Sequence, residues 1–527
     1  MNVAQVLYRN ALAFPDKEAV VDERGSRLTW GELNENANRL GNALLQTGLR
    51  KGDRLGIMLE NDCSYLITLL GAAKAGVITA GINSKLGREQ VAKLIDNSSP
   101  KALIVRDKFS DIVEDLKGDM ESVETVIGYG NGHGFSHDYH RLMAESTSQA
   151  PKVQVGDDDI FILLYTSGTT SLPKGAVITH RCMFMRMMML YMGFRLGRDE
   201  VLLNGFPLFG GAGMMMAMGA LFSGCKLVLH VVKGKSWVEL IEREKVTAHL
   251  MNATRLKLVT DYLAESERGY DLSSIRKVEI GGMGLSASQF RHIAEYFHVS
   301  GNGLYSWYGS SEASVPVSIL TPEEIIPALK APQGGSLERR LESMGRATPF
   351  VALRVVDEDG RDIEPGETGE IIMRGDTLMK GYWERPDANE KAFRDGWYLS
   401  NDFATRDPDG FLYFAGRKDS LIRSAGYFVR PTEVERVIAG HGAIEEVAVF
   451  GVPHKTWGEV VTAVCSLKPG QEVDEDGLKQ YCKENMGRYE VPRAIHIIDS
   501  LPKDPQSTKI LVRELRSRFT PKGGLGE

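Results

Sequence analysis

The chain has 527 residues, of which 43% are hydrophobic and 25% charged, a balance typical of a globular protein too long for a single core. Its net charge of -7 argues against a nucleic-acid partner, because nucleic acids are bound by basic surfaces. Any site for an anionic ligand must therefore be locally basic or built from backbone donors.

The cysteines and the apolar segments bear on the cellular compartment and on whether the chain crosses a membrane. Five cysteines are scattered along the chain without a C-x-x-C pair, which argues against disulfides and a zinc site and fits a reducing cytoplasm. No basic stretch followed by an apolar run stands at the N-terminus, so we predict no secretory leader. The most apolar window, 65–82, predicts a buried helix and strand, not a membrane span.

Helical periodicity alternates with short β-branched runs through the first 350 residues. Residues 28–33 open the first long amphipathic helix that we predict. The strands predicted after it are 54–59, 102–105, 226–229 and 277–280. Strands and helices that alternate at this spacing predict an α/β fold with parallel sheets flanked by helices.

The pattern changes after about residue 352. Short alternating strands at 353–357 and 369–374, separated by turn residues, predict a small antiparallel, barrel-like layer. The last part of the chain predicts a smaller α+β unit, with helices at 431–439 and 479–484 and strands at 447–450 and 461–464. We predict a large N-terminal domain, 1–417, and a small C-terminal domain, 418–527.

A predicted buried strand, 160–165, runs into a loop that is rich in hydrogen-bond donors. The loop residues with candidate roles are Thr166, Ser167, Gly168, Thr169, Thr170 and Lys174. Hydroxyls, backbone N–H groups and a lysine in one short loop are suited to a polyphosphate. The loop is not a Walker A motif, because Pro173 and Gly175 flank the lysine. The alternative is an ordinary surface turn.

Two further segments combine glycine with residues that could contact a nucleotide. Tyr308 precedes a glycine and could stack on a flat base, while Ser311 and Glu312 could hold a phosphate and a divalent ion. Gly282 follows a predicted strand and permits close approach to a flat ligand. The alternatives are a core tyrosine with a capping side chain and a simple strand-end turn.

The order of these motifs resembles that of the adenylate-forming superfamily, the group of acyl-CoA synthetases and luciferases. The resemblance runs from about residue 28 to residue 516. It implies that Tyr308 stacks on adenine, Ser311 contacts phosphate and Glu312 helps to hold Mg²⁺. It also implies that Asp402 and Arg417 bind the ribose.

The C-terminal part of the resemblance supplies a catalytic lysine and a hinge. Lys509 stands where the superfamily has the lysine that stabilises charge on the carboxylate and the α-phosphate. Asp419 stands at the hinge about which the small domain swings. Two positions depart from the usual glycine of these motifs, namely Asn401 and Thr508.

The same resemblance points to an acyl pocket and to CoA contacts, with core packing as the alternative for each side chain. The residues concerned are Phe209, Gly210, Met214 and Met283 for the acyl group, and Gly426, Trp457 and Tyr489 for CoA. Gly210 replaces a histidine that is frequent in the superfamily, and Met283 departs from its usual small residue. No aspartate here would clearly pair with the amino group of an amino acid, so we expect a fatty or aromatic carboxylic acid.

The resemblance therefore implies an ATP-dependent carboxylate–CoA ligase that acts through acyl-AMP and releases pyrophosphate. ATP, Mg²⁺ and CoA would take part, and Lys509, Lys174 and Glu312 would be the catalytic residues. A homodimer is left open. The alternatives are an acyl-AMP ligase that loads a carrier protein, a luciferase-like oxidative enzyme and a degenerate nucleotide-binding homologue. The last would be indicated by Ser171, Gly210 and Thr508.

Overall fold

The computed structural model describes residues 2–83, 86–165, 173–230, 234–281, 287–297, 303–418, 420–424, 427–503 and 510–520. The chain divides into two compact units. Unit 1 comprises Met1–Leu353 and Met373–Tyr398, and unit 2 comprises Arg354–Ile372 and Leu399–Glu527.

Unit 1 contains a seven-stranded sheet in the order β7-β6-β5-β3-β4-β8-β9. Its strands are β3 (Arg54–Met58), β4 (Ile78–Gly81), β5 (Ala102–Arg106), β6 (Thr125–Tyr129), β7 (His137–Asp138), β8 (Ile160–Tyr165) and β9 (Gly175–Thr179). All neighbours pair in parallel except β8 and β9, which are antiparallel. The reversal at β9 follows from the predicted phosphate loop, because a short loop can join only antiparallel neighbours.

A nine-stranded sheet, in the order β16-β15-β14-β13-β12-β10-β11-β1-β2, is the second sheet of unit 1. Its strands are β1 (Glu18–Asp22), β2 (Arg27–Thr29), β10 (Val201–Asn204), β11 (Lys226–Leu229), β12 (Ala248–Met251), β13 (Lys277–Gly281), β14 (Leu304–Ser310), β15 (Ser314–Leu320) and β16 (Arg346–Ala347). The central strands are parallel, and β2, β15 and β16 add antiparallel edges.

Helices connect the parallel strands, as the crossover geometry of parallel sheets requires. The helices of unit 1 are α1 (Val3–Ala13), α2 (Trp30–Gln46), α3 (Cys63–Ala75), α4 (Arg88–Ser98), α5 (Ser110–Asp115), α6 (Tyr139–Glu145), α7 (His180–Gly193), α8 (Gly211–Ser223), α9 (Gly234–Glu244), α10 (Ala253–Glu265), α11 (Ala287–Tyr296), α12 (Pro322–Lys330), α13 (Ser336–Arg339) and α14 (Pro386–Ala392). Helix α2 begins at Trp30 because the Thr29 and Glu32 side chains cap each other's backbone N–H groups.

A small sheet in the order β17-β18-β20-β19, with β21 beside β20, follows these helices. Its strands are β17 (Ala352–Val356), β18 (Thr368–Arg374), β19 (Phe393–Arg394), β20 (Trp397–Arg406) and β21 (Leu412–Arg417). The division between the units passes through β17, β18 and β20. It therefore groups part of this layer with the C-terminal residues, whereas we predicted a boundary at 417/418. That domain boundary stays a prediction.

The rest of unit 2 is an α+β arrangement around a second five-stranded sheet, β23-β22-β25-β24 with β26 beside β25. Its elements are β22 (Ile422–Ser424), β23 (Tyr427–Val429), α15 (Pro431–Ala439), β24 (Ile444–His454), β25 (Gly458–Leu467), α16 (Glu475–Asn485), β26 (Ala494–Ile497) and α17 (Val512–Phe519). Helices α15 and α16 pack on one face of the sheet, and Leu515 of α17 packs with Phe450 and Val464 in a separate cluster.

The predicted fold class is confirmed: large parallel-rich sheets with helices, a small antiparallel sheet and a small α+β region. The window 65–82 contains most of α3 and the strand β4, a buried helix and strand as predicted. All five cysteines are free and buried. Within the ranges described above, no helix combines the length and the apolar character needed to cross a bilayer.

Candidate active site

Three of the predicted nucleotide residues of unit 1, namely Tyr308, Ser311 and Glu312, lie at one edge of the nine-stranded sheet. Strands β10, β12, β13 and β14 run parallel, so their carboxyl ends lie at the same edge. Ligands of open α/β sheets bind outside the carboxyl ends of the strands. Tyr308 lies near the end of β14, and Ser311 and Glu312 follow in the turn to β15.

This turn is tight because of one glycine. A Cβ placed on Gly309 would lie 2.1 Å from the Ser314 carbonyl oxygen, so a side chain cannot be accommodated there. The strand register shifts at the same point, between Tyr308 and Ser310. Tyr308 is 7% exposed, which agrees with the alternative of a core tyrosine, and its stacking on adenine remains a prediction.

A buried arginine holds the turn by its carbonyls. Arg186 on α7 donates from Nη1 to the Ser311 oxygen at 3.0 Å and from Nη2 to the Glu312 oxygen at 2.9 Å. Its Nε donates to the Thr377 oxygen at 2.7 Å. The Arg186 side chain is completely buried. One planar guanidinium therefore fixes the backbone on both sides of the Ser311–Glu312 peptide.

The carboxylate of Glu312 accepts a hydrogen bond from a second aromatic residue. The hydroxyl of Tyr382 donates to Glu312 Oε1 at 3.1 Å. Lys174 Nζ lies 5.4 Å from the centre of the Tyr382 ring. Burial and the Glu312 carboxylate raise the pKa of Tyr398 well above its ordinary value, so that hydroxyl stays protonated beside the acid. The predicted phosphate-loop lysine and the predicted Mg²⁺ ligand thus share Tyr382 as a neighbour.

The Tyr382 segment is joined to the exit of the predicted phosphate loop. The Trp383 N–H donates to the Gly175 oxygen at 2.8 Å, and the Val177 N–H donates to the Gly381 oxygen at 2.9 Å. These bonds add a short antiparallel bridge to the edge strand β9. Thr166, Ser167, Gly168, Thr169 and Thr170 lie outside the described residues, as do Gly282 and Met283.

The predicted acyl segment lies between β10 and α8. Asn61 fixes it, accepting from the Leu208 N–H at 2.8 Å and donating to the Phe206 oxygen at 3.1 Å. Phe209 is partly buried. Among the described residues, a Cβ placed on Gly210 would have only the Pro207 oxygen within 4 Å, at 3.5 Å, so these residues leave room for a side chain there.

Met214 is more deeply buried than Phe209 and Gly210, the other described residues of the predicted acyl pocket. Its side chain is completely buried in α8. Core packing was the alternative stated for this residue, and its burial agrees with that alternative. Its predicted place in the acyl pocket remains a prediction.

In unit 2 the predicted ribose residues meet across two strands. Asp402 on β20 lies opposite Arg417 on β21, and Arg417 Nε donates to Asp402 Oδ1 at 3.0 Å. Asp402 is 4% exposed, whereas the Arg417 side chain is mostly exposed. Asn401 has a φ of +59°, a conformation that asparagine tolerates better than most residues. This explains why asparagine can replace the glycine that the superfamily usually has there.

The other residues predicted in unit 2 are the CoA contacts, the hinge and the catalytic lysine. Arg493 stacks on the Trp457 ring at 4.1 Å, and Tyr489 is 49% exposed. Gly426, Asp419 and Lys509 lie outside the described residues. Lys503 and Ile510, the described residues on either side of 504–509, form an antiparallel bridge.

Comparison with known proteins gives the family. The AMP-binding enzyme family matches residues 7–383, and the AMP-binding enzyme C-terminal domain matches residues 433–508. The chain belongs to the AMP-binding enzyme family. It is thereby a member of the adenylate-forming superfamily, as its motifs predict.

Full-length relatives and a solved structure agree with this family. A feruloyl-CoA synthase of Amycolatopsis sp is 32% identical over 94% of both chains. ScoC of Streptomyces coeruleorubidus, a fatty acid–[acyl-carrier-protein] ligase, is 30% identical over 96% of this chain and 94% of its own. The o-succinylbenzoate CoA synthetase MenE of Bacillus subtilis, in complex with its acyl-adenylate intermediate, is 27% identical over 99% of each chain, with a TM-score of 0.81.

The residues at the sheet edge are chemically suited to a nucleotide whose phosphates carry Mg²⁺. The described residues contain no cluster of three or more His, Cys, Asp or Glu side chains placed to hold a metal ion. A single carboxylate, Glu312, is sufficient, because Mg²⁺ is commonly bound by one or two carboxylates together with substrate phosphates. Gly211 allows the Ser311 side chain to pack closely against it, because an added Cβ would lie 2.4 Å from the Ser311 hydroxyl oxygen.

Sequence reasoning missed two residues that this family member places around Glu312. Arg186 stands in a methionine-rich helix, where an arginine among apolar residues was the available signal. Tyr382 follows Gly381, whose φ of +147° lies in the region that favours glycine. In each case the contact joins segments distant in sequence, so spacing along the chain could not have revealed it.

Proposed function

We propose that this protein is an ATP-dependent carboxylate–CoA ligase that forms acyl-CoA through an acyl-AMP intermediate. In the first step, a carboxylate oxygen of the acid attacks the α-phosphorus of ATP, and pyrophosphate leaves. In the second step, the thiol of CoA attacks the acyl carbon of acyl-AMP, and AMP leaves. The carboxylate is already a nucleophile at neutral pH, so catalysis consists mainly of positioning and charge stabilisation.

The observation that carries the proposal is the arrangement of Lys174, Tyr382 and Glu312. A cation from the end of the predicted phosphate loop lies near the ring of Tyr382, and a carboxylate suited to Mg²⁺ accepts from the hydroxyl of the same tyrosine. Phosphate oxygens bound at this place would have both a cation and a metal-binding carboxylate as neighbours. When bound, Mg²⁺ would neutralise phosphate charge in the transition state. Tyr308 would stack on the adenine, and Ser311 would donate to a phosphate oxygen.

The remaining residues are assigned to the C-terminal unit. Asp402 would accept from the ribose hydroxyls, with Arg417 beside it. Lys509 would stabilise the charge on the carboxylate and the α-phosphate during adenylation. Rotation about Asp419 would then replace Lys509 with a channel for CoA, next to Gly426, Trp457 and Tyr489. A homodimer is still left open, and the cytoplasmic location remains a prediction.

A carrier protein is the second candidate for the acyl acceptor. The relative ScoC, which is named as a ligase for an acyl-carrier protein, is nearly as similar to this chain as the feruloyl-CoA synthase. The first half-reaction would be the same. Only the molecule that carries the attacking thiol would differ, because in CoA and in a carrier protein the thiol is the end of a pantetheine group.

Carboxylate-dependent ATP–pyrophosphate exchange tests the proposal. A panel of short, medium, long and aromatic acids identifies the acid, and CoA is then added to each acid that supports exchange. Exchange followed by CoA-dependent release of AMP supports the ligase, whereas exchange that CoA does not advance supports a carrier-protein acceptor. Absence of exchange with every acid refutes adenylation and favours a degenerate homologue. A Glu312→Gln variant is the matched control, since it keeps the shape of the side chain but should lose exchange.

A further inference from the structure

A second basic residue lies at the edge of the nine-stranded sheet where the candidate active site lies. Arg255 is in the first turn of α10, immediately after β12, and the Asn252 side chain accepts its N–H at 2.9 Å. The strand order β14-β13-β12 places the end of β12 two strands away from the end of β14. At the usual spacing of neighbouring strands, this separation is about 10 Å.

The guanidinium of Arg255 is held in one orientation. It lies over the Phe206 ring, with its central carbon 4.0 Å from the ring centre. Among the residues that the structure describes, one of its five N–H groups has an acceptor, since Nη1 donates to the Gly205 oxygen at 2.7 Å. Stacking on a ring leaves the edge of the guanidinium, which carries the remaining donors, available for a planar acceptor.

The platform under Arg255 is also fixed. The Asn204 side chain accepts from the Phe206 N–H at 3.1 Å and donates to the Gly213 oxygen at 2.9 Å. Asn61 holds the same loop from the other side through the Phe206 oxygen. The loop that carries Phe206 continues directly into Phe209 and Gly210, the predicted acyl segment. Arg255 is therefore adjacent to the place where the acyl group is expected.

The charge of Arg255 has no acidic partner in unit 1. No aspartate or glutamate among the described residues forms an ion pair with Arg255, and the residues of unit 1 that lie outside the described ranges contain no Asp or Glu. Burial alone lowers the pKa of Arg255 to about 10. A partly buried cation without a counter-charge costs stability, and a bound anion would compensate this cost.

We propose that Arg255 binds a second carboxylate of the acyl substrate, so that the preferred acid is a dicarboxylic acid. This inference rests on the proposed function and specifies its substrate. The reacting carboxylate would lie by Ser311, and the second would lie about 10 Å away in the direction of β12. The guanidinium of Arg255 lies over Phe206, beyond the end of β10, and β10 is on the side of β12 away from β14, so Arg255 is directed away from the reacting carboxylate. The planar fork of arginine matches a carboxylate through two parallel hydrogen bonds.

The test compares diacids with monoacids of equal length in ATP–pyrophosphate exchange. The pairs are octanedioic with octanoic acid, and decanedioic with decanoic acid. The unaltered protein should show a higher kcat/KM for the diacid of at least one pair. This comparison does not depend on how well any variant folds.

Variants then assign the preference to Arg255. Arg255→Met should lower kcat/KM for the diacid about 10- to 100-fold, the loss expected for charge-assisted hydrogen bonds, and should leave the monoacid unchanged or improved. Arg255→Lys should recover part of the loss. Arg268→Met is the matched control, because Arg268 also stacks on a ring, that of Tyr270, but is paired with Glu242.

The outcomes separate this inference from the proposed function. Exchange with monoacids that equals or exceeds exchange with both diacids overturns the inference and leaves the ligase intact. Equal losses for both acids in Arg255→Met also overturn it. No exchange with any acid in the wider panel refutes the ligase and the inference together.

Discussion

The Arg186 contacts give the most direct test of how the Glu312 turn is organised. In Arg186→Met, three carbonyls lose a charged donor. Two of them keep another donor, because the Met379 N–H donates to the Glu312 oxygen at 2.8 Å and Cys182 Sγ lies 3.2 Å from the Thr377 oxygen. The Ser311 oxygen has no second donor among the described residues, so it is left unpaired there.

The number of carbonyls left without a donor determines how much Arg186→Met should destabilise the protein. Leaving one buried carbonyl unpaired costs about 1 to 3 kcal/mol, and removing a buried charge without a carboxylate partner offsets part of it. Unfolding should therefore become only moderately easier. Adenylation should fall more, by about 10- to 100-fold, because a displacement of about 1 Å in a positioning group can cost that much. The Mg²⁺ concentration for half-maximal exchange should also rise, since the Glu312 backbone is no longer fixed.

Pyrophosphate exchange against Mg²⁺ concentration, together with thermal unfolding, measures both effects. Arg186→Lys should recover stability better than it recovers the Mg²⁺ dependence, because an ammonium group cannot reach three carbonyls in one plane. Arg181→Met is the control on the same helix, with a half-exposed side chain that pairs with Asp158 at 3.4 Å. A loss of stability in Arg186→Met with unchanged Mg²⁺ dependence would refute the positioning role.

Three other predictions follow from single contacts or groups. Burial raises the pKa of Glu279 to about 8, so the stability tied to its neutral form is complete below pH 4.5 and is lost as the pH rises towards 8. Glu279→Gln should therefore match the parent in urea unfolding at about pH 5 and be more stable by up to a few kcal/mol at about pH 8.5. Tyr382→Phe keeps the ring beside Lys174 but removes the donor to Glu312, so exchange should fall about tenfold at limiting Mg²⁺ with little change in thermal unfolding. Lys509→Ala should abolish most of the exchange and leave the conversion of supplied acyl-AMP to acyl-CoA nearly intact, as measured by AMP release.

Each of these has an outcome that contradicts it. A Glu279→Gln variant with the same pH profile as the parent would mean that the carboxyl group is solvated. An unaltered Mg²⁺ response in Tyr382→Phe would remove that hydroxyl from the site. If Lys509→Ala slowed both half-reactions equally, domain rotation would be the wrong account, and Asp419→Pro, expected to spare adenylation and slow thioester formation, serves as its converse.

The sequence predicted well those helices and strands whose ends are marked by residues within or next to the element itself. Strand β8 has the predicted bounds, because six apolar residues bounded by polar ones admit few alternatives. Helix α15 also has the predicted bounds, because a proline at its first turn marks where it starts. Helix α1 was missed, although Asn2 and Gln5 form a capping box there, because its apolar face is short.

The site is less predictable because its contacts cross long stretches of chain. The types of Ser311 and Glu312 indicated phosphate and metal binding, but Arg186 comes from a helix about 125 residues earlier in the chain. The pairing of Asp402 with Arg417 depends on strand register, which the spacing of residues in the sequence leaves undetermined. Arg255 shows the same limit. A single arginine in the sequence does not indicate an anion site, and only the three-dimensional structure shows that no described carboxylate of unit 1 pairs with it.

The burial of all five cysteines has a practical use. Burial raises the pKa of every one of these thiols, so none presents a reactive thiolate at neutral pH. A cysteine introduced at an exposed position of each unit would then be labelled selectively, without first removing the native ones. Two fluorophores attached in this way would report the distance between the units at each stage of turnover, and would make the proposed rotation directly observable in solution.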